Sequence, residues 1–220
     1  MKVGVDGVLL GAWAGMKATR ILDIGTGCGL ISLILAQRFR GAEIKGIDID
    51  SDSINEASKN FNDSPWGNRM KAIYGRFPDN MKEADGKYDL IVSNPPFFDS
   101  GITNLVTPRE KARHQGILTY DTILHDSKSF LLSGGRVSII FPYEFIDKIS
   151  ERAEKEGYRI IRSVYIRNNE KKSFKRVLME LGKKEDITDS MEVFSELTLF
   201  EGGEPSKEYR ALCKDFYLKF

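Results

Sequence analysis

One junction limits the possible folds more than any other. The apolar run Arg20 to Ile24 breaks directly into Gly25-Thr26-Gly27-Cys28-Gly29, and Leu30 to Phe39 resumes as an apolar, helix-like stretch. This reads as a short buried strand, a glycine loop and a helix. Glycines let a backbone approach a ligand closely, and the first turn of the helix aims N–H groups and a positive dipole end at it. The expected product is a nucleotide-binding unit.

The glycine spacing narrows the ligand. A dinucleotide fingerprint needs its third glycine at position 30, but that residue is Leu30 and the third glycine is Gly29. Asp23, two residues before Gly25, followed by Gly25-x-Gly27-x-Gly29, is the pattern of S-adenosylmethionine (SAM) sites. Glu43 to Ile49 reads as the second strand and carries Asp48 at its tip, nineteen residues after Gly29. A carboxylate there is placed to accept both hydroxyls of a ribose. Asp50, two residues on, is read as the N-terminal cap of a helix over Ser51 to Phe61.

A second motif stands at the end of the apolar run Tyr88 to Val92: Ser93-Asn94-Pro95-Pro96-Phe97. Neither proline has an N–H and each fixes its own φ, so the turn is stiff. The Asn94 side-chain oxygen and the Pro95 carbonyl can accept both N–H bonds of a planar amine, and Phe97 can stack on its ring. A plain proline turn with a core phenylalanine competes with that reading. In an open parallel sheet the first and fourth strands flank the topological switch point, so the glycine loop and Asn94 should share one cleft.

The remaining elements follow in order. Gly7 to Ala14 reads as a short apolar helix, with Asp6 and its neighbours either packing over the sheet or covering a cofactor. Asn62 to Asn68 is a turn with an exposed-looking Trp66. Met70 to Tyr74 is a third strand, and Phe77 beyond it is either a core aromatic or a stacking surface for adenine. Phe98 to Gly116 is a loop with a short helix. Its Arg109, Lys111, Arg113 and His114 could hold substrate phosphates or form a solvated turn. A helix over Thr119 to Leu131 and a strand over Arg136 to Pro142 come next. A helix over Tyr143 to Glu156 and strands over Tyr158 to Ile166 and Lys175 to Leu181 complete the main pattern. The hairpin between those strands is basic, with Arg167, Lys171, Lys172, Lys175 and Arg176 around a single acid, Glu170. It suggests a phosphate-backbone contact. Glu196 to Phe200 reads as a small extra strand. Ser206 to Phe220 reads as an amphipathic helix, packing through Tyr209, Leu212, Phe216 and Tyr217.

Composition excludes little. The 220 residues suit one domain, taken as 1–220, with residues 1–16 as a cofactor-covering segment and 185–220 packed against the rest. A net charge of +1 means that nucleic-acid binding needs a local patch. Two cysteines, Cys28 and Cys213, make neither a disulfide framework nor a zinc site, which fits a reducing cytoplasm. No metal, no membrane partner and a monomeric state are expected.

The chain resembles the bacterial tRNA(valine) adenine-N6-methyltransferases. The stretches that carry the resemblance are MKVGVDGVLLGAWA, ILDIGTGCGL, NDSPW, LIVSNPPFF, TPREKARH and the terminal EYRALCKDFYL. The glycine loop and NPPF are shared with many amino-methyltransferases; the first stretch, SPW and PREKARH are more particular. The resemblance implies an α/β, Rossmann-like SAM-dependent methyltransferase fold. Its sheet would be mostly parallel and seven-stranded, with helices on both faces and an antiparallel terminal strand. It also implies SAM as cofactor and, as substrate, N6 of the adenine just 3′ of the anticodon in a valine tRNA. Asn94, Pro95, Pro96 and Phe97 would then be catalytic. Asp6, Asp23, Gly25, Gly27, Gly29, Asp48 and Phe77 would bind cofactor. Arg109, Arg113, Arg167, Lys171, Lys172, Lys175 and Arg176 would hold RNA.

The sequence departs from the family at four points. Val5 stands where relatives have Thr. The chain opens inside the first stretch, so further N-terminal residues are expected ahead of it. Arg76 stands where relatives carry an adenine-binding acid, and Phe97 stands for the more frequent Tyr. Rival readings are an amino-methyltransferase for a protein glutamine or a DNA adenine, and a tRNA-binding module without catalysis.

Overall fold

A computed structural model describes residues 4–81, 86–96, 118–187 and 192–218. Within them the chain runs α1 (Val5–Trp13), β1 (Arg20–Ile24), α2 (Leu30–Arg38), β2 (Glu43–Asp48), α3 (Ser51–Asp63), β3 (Met70–Tyr74) and β4 (Tyr88–Ser93). It continues with α4 (Tyr120–Phe130), β5 (Leu131–Pro142), α5 (Ile146–Lys155), β6 (Tyr158–Asn169), β7 (Phe174–Lys183), β8 (Val193–Glu201), β9 (Glu204–Pro205) and α6 (Lys207–Cys213).

The strands form one sheet in the order β3-β2-β1-β4-β5-β7-β6-β8-β9. Strands β1 to β5 pair in parallel, and β7 is antiparallel to both β5 and β6. The seven-stranded plan is therefore present, and two strands extend it. β8 adds in parallel to β6, and the two-residue β9 turns back on β8.

The central strands are apolar on both faces because both are covered, as parallel strands require. On one side α1, α2 and α6 enclose Leu9, Leu35, Ile44, Leu90, Ile140 and Leu178. On the other, α4 and α5 enclose Leu22, Ile91, Ile123, Ile139, Phe141 and Ile149. Three helices, α3, α4 and α6, start where the sequence supplies a cap: the side chains of Asp50, Thr119 and Ser206 accept the N–H groups of Ser53, Thr122 and Tyr209.

Three expectations change. The terminal helix stops at Cys213 and continues as a tighter turn over Lys214–Phe216. Phe216 and Tyr217 still reach the core beside Tyr209. Trp66 is half-buried, packed against the core on the α2 side. The strand expected from Arg136 begins at Leu131, and its pairing with β4 shifts register there, with residues 132–135 lying between paired positions.

α1 is tied to the sheet by a buried polar cluster. Glu180, in the middle of β7, accepts from the backbone N–H of Gly15 (3.0 Å), the Ser138 hydroxyl (3.0 Å) and Nε and Nη2 of Arg162 (3.1 and 2.9 Å). The Arg162 guanidinium lies 4.0 Å from the Trp13 ring centroid and donates to the Trp13 carbonyl. From α2, Arg38 donates to the carbonyls of Gly11 and Ala14. No charge in this cluster lacks an opposite charge or a carbonyl, as burial demands.

Candidate active site

Two serine and aspartate contacts set the relation between the motifs. At the amino end, Asp89 of β4 accepts from the Thr19 N–H and hydroxyl and from the Arg20 N–H. At the carboxyl end, the buried Ser93 hydroxyl donates to the Ile24 carbonyl at 2.7 Å. Ile24 and Ser93 are register partners. Gly25 and Asn94 are therefore the next residues out of two adjacent strands at the same edge. Asn94 is half-buried, Pro95 is buried and Pro96 is exposed.

The glycine loop is held from three directions. The Gly25 and Thr26 N–H groups donate to the Ile47 carbonyl at 2.8 and 3.1 Å. The Gly27 N–H donates to Asp48 Oδ2 at 2.8 Å. Asn60 of α3 donates to the Cys28 carbonyl at 2.9 Å. Gly29, the N-cap of α2, has φ +84°, and a Cβ there would lie 2.4 Å from Cε1 of the buried Phe61. Only glycine combines that conformation with that packing.

Asp23 braces the loop from beneath. Its carboxylate is fully buried, and Oδ2 accepts from the Thr26 and Ser32 hydroxyls, both at 2.7 Å. Burial pushes its pKa up to about 6; the Ser32 and Thr26 hydrogen bonds oppose the rise and the nearby Asp48 charge adds to it. Asp23 thus acts on the loop rather than facing the cleft. Asp50 is a helix cap, accepting the Ser53 N–H and hydroxyl.

Between β1, β2 and β3 at the carboxyl edge lies a cleft of about 270 Å3. Gly25 and Asp48 form one wall, Arg76, Phe77 and Asp79 another, and Ile49, Leu118 and Thr122 its rim. Asp48 accepts one hydrogen bond on each oxygen, from Gly27 and from the Asp50 N–H at 3.0 Å. A carboxylate has about four acceptor sites, so two remain for a pair of ribose hydroxyls. Phe77 is buried, 5.4 Å from the Phe130 ring centroid, and it lines the cleft. Ile49 is 46% exposed at the rim, where an apolar side chain can cover a flat base. The donor and acceptor set and the apolar faces fit an adenosyl group.

Sequence reasoning missed Ile49, Asp79, Leu118 and Thr122. An apolar residue between Asp48 and Asp50 at a strand tip was a usable signal for Ile49. The others arrive through turns whose course no periodicity reveals.

Asp6 and Arg176, separately assigned to cofactor and RNA, instead meet: Arg176 Nε donates to Asp6 Oδ2 at 2.8 Å, joining α1 to the start of β7. Arg167 is held by Glu196 at 3.1 Å and Thr198 at 2.9 Å. Lys171, Lys172 and Lys175 are exposed at the tip of the β6–β7 hairpin, with no acid within salt-bridge distance among the described residues. That tip lies at the carboxyl edge of β4 and β5, because Arg176 is the register partner of Pro142. Phe97, Arg109, Lys111, Arg113 and His114 lie outside the described residues. Among the described residues no cluster of His, Cys, Asp and Glu suits a metal ion, and no helix is long and apolar enough to cross a membrane.

The cleft lies on the β2 and β3 side of the glycine loop, and Asn94, expected to share it, is not among its lining residues but ends the strand on the loop's other side. This glycine loop and cleft, with an Asn-Pro-Pro turn on the neighbouring strand, mark a SAM-dependent methyltransferase. Residues 7–161 match the methyltransferase small domain family. A predicted O-methyltransferase from Agrobacterium tumefaciens has the same fold, with a TM-score of 0.71 at 17% identity over 96% of each chain. A glycopeptide N-methyltransferase solved with SAM gives 0.55 at 11% identity, over 80% of this chain and 93% of that one. The chain belongs to the tRNA1(Val) (adenine(37)-N6)-methyltransferase family. It is 40% identical to the member from Parabacteroides distasonis, over 100% of this chain and 92% of that protein. It is 37% identical to the member from Trichodesmium erythraeum, again over 100% and 92%.

Proposed function

We propose that this chain methylates N6 of adenine 37 in a valine tRNA, using SAM. The relatives named for that reaction supply the substrate. One observation carries the chemistry: the Ile24–Ser93 register and the Ser93 hydrogen bond, which make Asn94 the immediate neighbour of the glycine loop.

Bound SAM would supply an electrophilic methyl group, the sulfonium S–CH3 bond breaking as the N–C bond forms and S-adenosylhomocysteine leaving. Asp48 would accept its ribose hydroxyls, and Phe77 and Ile49 would flank its adenine. Asp79, the second carboxylate on the cleft wall, accepts the adenine amino hydrogens in place of the acid replaced by Arg76. The Arg76–Asp79 pair is loose, at 3.9 Å between exposed groups, so engaging Asp79 costs little.

The Asn94 oxygen and the Pro95 carbonyl accept the two N6–H bonds of the target adenine. An exocyclic amine conjugated with its ring is a poor nucleophile. Holding both hydrogens favours a tetrahedral nitrogen and localises the lone pair for in-line attack. The same oxygens stabilise the positive charge that develops as the N–C bond forms. The methylated ammonium is acidic and releases its proton to water, so no strong base is needed. The target base must leave its stack, and Phe97 offers a replacement surface. Lys171, Lys172 and Lys175 contact the RNA backbone. The two free cysteines accord with a cytoplasmic site of action, and the chain works as one domain without a resident metal.

The test is transfer of labelled methyl from SAM to tRNA from a strain lacking this gene, followed by nucleoside digestion and chromatography. Label in N6-methyladenosine, lost when adenine 37 is replaced, is the expected result. Label in protein or DNA, with none in tRNA, overturns the proposal.

A further inference from the structure

Beyond the hairpin lysines lies a group of rings with no role in the site above. Tyr143 follows the tip of β5, Tyr165 lies on β6, Phe174 opens β7 and Phe194 lies on β8. Their centroids are 5.2 Å apart for Tyr143–Tyr165, 5.4 Å for Tyr143–Phe174, 5.6 Å for Tyr165–Phe174 and 4.5 Å for Tyr165–Phe194. The Arg167 guanidinium sits 5.3 Å from the Phe174 ring centroid and is steadied by Glu196 and Thr198. A cluster of this kind in a core would be sealed. This one is not: Phe194 is 51% exposed, and Tyr143, Tyr165 and Phe174 are half-buried.

Position and charge point to one class of occupant. Tyr143 follows β5, the neighbour of the strand that delivers Asn94, so the aromatic surface continues the catalytic edge. The hairpin beside it carries Lys171, Lys172 and Lys175 against a single acid, Glu170; of the acids nearer the rings, Glu196 is engaged by Arg167 and Glu192 accepts from the Ser163 hydroxyl at 3.0 Å, while Asp147 lies close enough to act on Tyr165. Exposed rings beside lysines that have no acid partner among the described residues suit a nucleic-acid strand with unstacked bases, since every base has a π face and every linkage a phosphate. An anticodon loop offers such bases next to the one that is methylated.

We infer that Phe194, supported by Tyr165, Phe174 and Tyr143, forms a second RNA subsite. It stacks an unpaired base of the substrate loop while Lys171, Lys172 and Lys175 hold the adjoining phosphates. The inference rests on the RNA substrate proposed above. It also accounts for β8 and β9, the strands beyond the seven-stranded plan, because β8 carries both the exposed ring and the acid that steadies Arg167.

The test compares wild type, Phe194→Ala and Phe194→Trp in steady-state methylation of the unmodified tRNA, with SAM affinity measured by calorimetry. Loss of one stacked base is expected to raise KM for tRNA about 5- to 150-fold, with kcat and SAM affinity unchanged. Phe194→Trp is expected to restore KM, which a purely structural role for the ring would not produce. Unchanged KM in Phe194→Ala overturns the inference, whether or not the thermal midpoint falls. So does a Trp variant as impaired as the Ala variant. A concentration-dependent dimer that Phe194→Ala abolishes without altering KM would assign the surface to a second copy instead. If wild type fails to methylate tRNA at all, the proposed function falls, and the failure is distinguishable from that of the subsite.

Discussion

Gly29→Ala offers a quantitative check on the glycine loop. The residue has φ +84° at the N-cap of α2, and a non-glycine residue held there costs about 1–2 kcal/mol. The added Cβ would lie 2.4 Å from Cε1 and 2.9 Å from Cζ of Phe61. Phe61 is 1% exposed on α3, and Asn60 beside it is hydrogen-bonded to the loop. Neither side can retreat freely, so overpacking adds about 1–3 kcal/mol. The total is a loss of about 2–5 kcal/mol, read from urea denaturation. SAM affinity, measured by calorimetry, should fall as well, because relief requires the loop to move away from Asp48. A Gly29→Ala/Phe61→Leu double variant should destabilise by less than the sum of the singles, with the backbone strain remaining. A single variant within about 0.5 kcal/mol of wild type, the ordinary scatter of neutral substitutions, would refute this account of the loop.

Other outcomes follow from the same geometry. Asn94→Ala should lower kcat about 100- to 1,000-fold, the scale of a lost transition-state hydrogen-bonding group, with SAM affinity intact; near-normal turnover would dismiss the mechanism. Asp48→Ala should weaken SAM binding about 10- to 100-fold, since hydrogen bonds to a charged group are worth about 1.5–3 kcal/mol; calorimetry decides. Lys171→Glu with Lys172→Glu should raise KM for tRNA and flatten its salt dependence by about 0.7 logarithmic units for each phosphate no longer neutralised, with no change in SAM binding. The Asp23 pKa is raised to about 6 from 3.8, so folding favours its protonated form. Its contribution is fully present below pH 3.8 and is lost as pH rises through about 6, a change of about 3 kcal/mol. Denaturation of wild type and Asp23→Asn across that range should show wild type losing stability relative to the variant; a constant difference would reject the assignment.

Much of the fold was legible because strand boundaries coincided with changes of chemistry. β1 and β3 fall where their apolar runs begin and end, and Asp50 caps α3 as its sequence implied. β5 was shortened because Gly134-Gly135 read as its opening, whereas the strand already starts at Leu131. The terminal helix was overextended because Phe216 and Tyr217 continue the apolar spacing while the backbone tightens. In the site, the glycine loop, Asp48 and Asn94 announced themselves through spacing. The pairing of Asp6 with Arg176 could not, since 170 residues separate them and each had a sensible local reading. The bracing role of Asp23 is hidden for a similar reason: its motif position is informative, but its complete burial is a property of the assembled sheet.

The Glu180–Arg162–Trp13 cluster bears on how ligands come and go. Swinging α1 outward would break the contacts of Arg162 with Trp13, of Glu180 with the Gly15 N–H and of Arg38 with Gly11 and Ala14, and would hydrate Val8, Leu9 and Leu10, all at most 2% exposed. Their burial alone is worth about 5–9 kcal/mol. Even the lower figure leaves fewer than about one molecule in a thousand with α1 detached at any instant. α1 therefore stays seated on the sheet while ligands come and go. Turnover should then be insensitive to a disulfide that staples α1 to α2.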